Sequence, residues 1–139
     1  MFESEGVMGK SLIQVANPSP QNVAEGGIIN LGSVQRRYGC NLRLSGNAIE
    51  VNGDGYYTIT GSVTVVPTGT ETVTVAIYAD GEQVPGVIAS GAGTAASPVT
   101  LPLVGTIRQF CCSSVNNLTC VLVAGAGSVQ NISLRVTKE

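Results

Sequence analysis

Residues 56–66 read Tyr-Tyr-Thr-Ile-Thr-Gly-Ser-Val-Thr-Val-Val, and this alternation limits the fold more than any other feature of the chain. Tyr57, Ile59, Val63 and Val65 fall on one side, and Thr58, Thr60, Ser62 and Thr64 on the other. That is the period of two required of a strand with one buried face. The pattern recurs after a turn at Pro67-Thr68-Gly69, with Val73, Val75 and Ile77 facing one way and Thr72 and Thr74 the other. Asp80-Gly81 is a strong hairpin signal. Residues 83–90 return as a strand interrupted by Pro85-Gly86, and residues 91–97 form a small-residue loop. Further strands are expected over 98–104, 106–110 and 118–124, and in a last segment where Ile132, Leu134 and Val136 alternate with polar neighbours. Shorter signals lie at 12–15, 28–34, 41–45 and 48–51, and no stretch sustains a helical period. The expectation is an all-β, two-sheet jelly-roll sandwich of about eight to ten antiparallel strands.

Residues 1–24 differ in kind. They show little periodicity, contain Asn17-Pro18-Ser19-Pro20 and read as an extended N-terminal arm ahead of a jelly-roll domain over 25–139. Charge is also unevenly spread. Charged residues make up 12% of the chain, and Arg108 is the only one between Gln83 and Leu134. Soluble proteins usually carry about 25% charged residues, so a surface this poor in charge is expected to be covered by another chain. The 118–124 segment, Leu-Thr-Cys-Val-Leu-Val-Ala, is apolar on both faces and strengthens that expectation. Leu118, Cys120, Val121, Leu122 and Val123 are the candidate subunit interface.

Several classes of function find no support in the residues. Histidine, the commonest general base and metal ligand, is absent. Cys40, Cys111, Cys112 and Cys120 have no metal-ligand spacing and read as buried free thiols. Glu50 and Asp54 flank a Gly-rich turn that lacks the spacing of a calcium loop. No enzyme, metal site or cofactor is therefore expected. The net charge of −2, with no basic cluster larger than Arg36-Arg37, argues against nucleic-acid binding. No apolar run reaches the ~20 residues of a membrane helix, and residues 1–6 lack the basic-then-apolar order of a signal peptide.

The run Gly55-Tyr56-Tyr57-Thr58-Ile59-Thr60-Gly61-Ser62-Val63, followed by Val73-Thr74-Val75-Ala76-Ile77-Tyr78-Ala79-Asp80-Gly81-Glu82, resembles the central hairpin of the tumour-necrosis-factor-like and complement-head-like jelly rolls. The same style, with Ser133-Leu134-Arg135-Val136 near the end, is similar to head-fibre or capsid decoration proteins of phages. The resemblance implies a homotrimer formed through apolar strands near a threefold axis. It also implies a structural role on the capsid surface of a virion made in the host cytoplasm, with the major capsid protein or a neighbouring virion protein as partner. The arm would dock to the capsid through Phe2, Val7, Leu12, Ile13 and Val15. The alternative is a receptor- or glycan-binding head of a fibre or of a bacterial surface or spore protein, with Tyr56, Tyr57 and Tyr78 as the ligand-facing aromatics.

Overall fold

The computed structural model describes residues 11–69, 71–94, 97–109 and 116–138. Within them the chain forms eleven strands and no helix. These are β1 (Leu12–Asn17), β2 (Gln21–Val23), β3 (Ser33–Tyr38), β4 (Leu42–Ser45), β5 (Ala48–Val51) and β6 (Gly55–Pro67). They continue as β7 (Glu71–Ala79), β8 (Glu82–Gly93), β9 (Val99–Gln109), β10 (Asn116–Ala124) and β11 (Gly127–Lys138). One sheet runs in the order β3-β1-β11-β6-β9, with β2 also paired to β11, and the other runs β4-β5-β10-β7-β8. All the strand pairs are antiparallel. The chain thus folds as a jelly-roll sandwich.

The alternating side chains build the core as their spacing requires. Tyr57, Ile59, Val63 and Val65 of β6 meet Val73, Val75 and Ile77 of β7 in one apolar layer between the sheets. Fully burying a side chain of this size stabilises the fold by roughly 1.5–3 kcal/mol. The β7–β8 hairpin closes on Asp80 and Gly81, at φ 51° and 84°. Positive φ at both central residues matches the twist of the flanking strands.

Two expectations change at glycines. The separate strands expected over 98–104 and 106–110 are one strand, β9, paired residue by residue with β6 from Val65↔Val99 to Gly55↔Gln109. Gly105 does not break it. A Cβ there would run into Val87 on the facing sheet, so the glycine allows β8 and β9 to close together. The small-residue stretch is likewise strand as far as Gly93. At Gly91 a Cβ would crowd Val99 and Leu101.

The N-terminal boundary also moves. Residues 12–17, expected in an arm, are β1, paired on one side with β11 and on the other with β3. Ile13 and Val15 lie fully buried against the inward row Ile132, Leu134 and Val136. The sandwich therefore begins by Leu12 and not at residue 25. Of the expected arm, residues 1–10 lie outside the described residues.

Candidate interaction surface

Tyr56, Tyr57 and Tyr78, the three tyrosines named as ligand-facing, occupy three different environments. Tyr57 is fully buried, and its hydroxyl donates to the Gly53 carbonyl at 2.9 Å, with the Asn52 carbonyl 3.2 Å away. Burial, followed by the charges of Asp54 and Cys40, raises its pKa. It pins the β5–β6 turn and is not available to a ligand. Tyr56 points the other way, off the outer face of the larger sheet, and is 55% exposed. The Arg108 guanidinium carbon sits 4.9 Å from the centre of its ring, while Arg108 Nη1 pairs with Asp54 Oδ1 at 2.9 Å. Tyr78 is half-buried on the outer face of the other sheet, between Thr119 and Gln83. The sandwich separates the three rings, so they form no shared aromatic platform.

The candidate interface residues on β10 divide by alternation. Leu118, Cys120 and Leu122 point inward and are fully buried in the core of their own subunit. They cannot contact a second copy without unfolding the sandwich. Burial pushes the Cys120 thiol up to about 12, which keeps it protonated. Cys40, expected to be buried, is instead an exposed free thiol in the turn between β3 and β4, and Cys111 and Cys112 lie outside the described residues. Val121 points outward and Val123 sits in the β10 bulge, both half-buried. Among the docking residues expected in the arm, Leu12, Ile13 and Val15 are buried in β1, and Phe2 and Val7 lie outside the described residues.

Strand register exposes a feature that the sequence conceals. Val121 is opposite Ala76 on one side and bridges to Ile28 on the other, and Ala76 is opposite Ile88. An apolar row Ile28–Val121–Ala76–Ile88 therefore crosses the outer face of the smaller sheet. Ala76 is buried within it, while Ile28 and Ile88 at its ends are 52% and 42% exposed. Round the edge from Ile88, Val104 of β9 is 62% exposed. The β8–β9 edge is formed by two long strands with little charge, a surface that usually pairs with another chain unless it is covered.

The pole of the sandwich near the start of β6 holds two open clefts. One, of about 280 Å³, is lined by Glu82, Gln83, Pro85 and Arg108 among others. The second, of about 310 Å³, lies between Arg37, Cys40, Asn41, Arg43 and Glu50. There Arg43 pairs with Glu50 at 2.8 Å, and Arg37 Nε donates to the Leu42 carbonyl at 2.6 Å. Among the described residues no group of three His, Cys, Asp or Glu side chains is placed to hold a metal. No described helix is long and apolar enough to cross a membrane.

No protein-family model and no curated protein sequence matches the chain. Solved structures do. Murine APRIL superposes with a TM-score of 0.73 at 13% identity, over 94% of this chain and 99% of that one. The globular domain of zebrafish complement 1qA gives 0.69 at 5% identity, over 91% and 94%. The PRD1 vertex protein P5 gives 0.57 at 14% identity, over 92% and 96%. The fold is that of the tumour-necrosis-factor-like jelly rolls, as the hairpin motif implied.

Proposed function

We propose that this chain is a non-enzymatic structural component of a virion, a homotrimer that decorates a phage capsid or forms its head fibre. The observation that carries the reading is the apolar row Ile28–Val121–Ala76–Ile88 beside a charge-poor β8–β9 edge. A lone subunit would leave this surface in water. A threefold ring needs two different surfaces on each subunit, because its contacts are head to tail. The row and its adjoining edge supply one of them. In this reading Val121 and Val123 face the neighbouring copies near the axis, and Leu118, Cys120 and Leu122 hold the subunit together beneath them. The virion assignment draws on the likeness to the PRD1 vertex protein and on the phage-like sequence style. Capsid attachment is assigned to residues 1–10, since Leu12, Ile13 and Val15 are committed to the core.

Light scattering of the purified chain tests the assembly: a mass near three times 14.2 kDa is expected. A monomer at every concentration would remove the proposal. A receptor- or glycan-binding head shares the same fold. Of the three tyrosines named for that role only Tyr56 is exposed, and loss of glycan-array binding in Tyr56→Ala is the result that would favour it.

A further inference from the structure

Toward one pole the two long edges of the sandwich carry opposite charge, although the β8–β9 edge is poor in charge along the rest of its length. One edge is built by β3 and β4, the terminal strands of their sheets, and the other by β8 and β9. The β3–β4 edge bears Arg36, Arg37 and Arg43 against a single carboxylate, Glu50, which is already paired with Arg43. The opposite edge and the β7–β8 turn bear Asp80 and Glu82, and the one cation of that edge, Arg108 of β9, is already paired with Asp54 of the β5–β6 turn. Among the described residues Arg36 and Arg37 make no ion pair, and neither do Asp80 and Glu82. Arg36 only stacks over Tyr38, at 5.7 Å from the ring centre.

Arg43 and Asp80 also stand at the same height. Across the smaller sheet Arg43 is opposite Glu50, Glu50 is opposite Asn117, and the Asn117 carbonyl accepts from the Asp80 amide. That row joins the basic edge to the acidic turn on one level. Arg37 stands toward the same pole, opposite Ile13 near the start of β1. A rotation about an axis running along the strands changes no heights, so it would carry the acidic edge of one copy to the basic edge of the next. Each edge also has exposed apolar side chains beside its charges. These are Val34 and Tyr38 on the basic edge, and Ile88 and Val104 on the acidic one.

We infer that copies of this chain join edge to edge, with Arg36 and Arg37 of one subunit facing Asp80 and Glu82 of the next. This rests on the trimer reading and supplies the second surface that a head-to-tail ring needs. The partner is another copy of the same chain, because the two edges are opposite in sign and carry their charges toward the same pole. With a threefold rotation between neighbours such a contact closes into a ring and leaves no charged edge free.

The test uses the full chain and reads the concentration at which the native mass falls on dilution, at low and at high salt. Arg36 and Glu82 are exposed, so reversing either leaves the core intact. Arg36→Glu and Glu82→Arg alone should each weaken assembly by about tenfold or more at low salt. The double variant should recover most of that loss, and added salt should weaken the unaltered trimer. A trimer unmoved by either single reversal, or a double variant no better than the singles, would overturn the edge contact while leaving the trimer standing. An unaltered chain that is monomeric throughout removes both.

Discussion

Tyr57 shows how one residue couples core and turn. Its ring lies in the apolar layer and its hydroxyl holds the carbonyl of Gly53, a residue at φ 110° that only glycine adopts readily. Replacing it with Phe keeps the ring and leaves a half-buried carbonyl without that donor, so Tyr57→Phe should cost about 1 kcal/mol in denaturant unfolding. The raised pKa adds a dependence on pH with a definite sign. In the folded state the phenol is held neutral above the ordinary value of 10.0. The unfolded chain therefore ionises first as pH rises. The stability from Tyr57 is complete below that value and is lost as pH climbs through the folded one. The alkaline fall in stability should be shallower in Tyr57→Phe, and an unchanged slope would show that the phenol does not contribute to it. Cys120, held protonated to about 12 against 9.0, falls on the same side and adds to the alkaline slope.

Among the elements, the strands legible in the sequence are those that carry their own evidence. β6 and β7 alternate over their length, and the Asp80-Gly81 hairpin between β7 and β8 is fixed by two residues of positive φ. β1 carries only the short signal at 12–15, inside a segment that otherwise reads as an arm. Its six residues, Leu-Ile-Gln-Val-Ala-Asn, run straight into Pro18-Ser19-Pro20, and their partners on β11 lie more than a hundred positions away. The apolar row on the smaller sheet was hidden for the same reason: its members become neighbours only through the register of β7, β8 and β10. The β10 segment was legible as apolar, but its inward half was assigned to a partner when its own sandwich covers it. A deletion series separates arm from strand. Removing residues 1–10 should leave the melting transition of the sandwich in place. Removal through Asn17 should abolish it, by stripping Ile13 and Val15 from Ile132, Leu134 and Val136. Survival of the transition in the longer deletion would return residues 12–17 to the arm.

Across the whole molecule, the sheets are joined by pairings between distant parts of the chain. β1 meets β11, β6 meets β9, and β5 meets β10. Loop closure must precede most of the stabilising burial, so refolding of the monomeric chain should take milliseconds to seconds, as in other all-β sandwiches. A stopped-flow experiment with a microsecond phase carrying the full amplitude would contradict this. Assembly adds a second, concentration-dependent step, because the opposed edges meet only once each sandwich is formed.

The Lys138 amide donates to the Ser11 carbonyl at 2.8 Å, so the first and last described strands leave the sandwich side by side at one pole. The turns at 68–69 and 125–126 lie at the other. Between them runs β6, thirteen residues long, or about 40 Å at ~3.3 Å per residue. A peptide grafted into the 68–69 turn would be carried on a rigid mast, held that far from the pole where Ser11 and Lys138 meet, and a trimer would raise three such tips together.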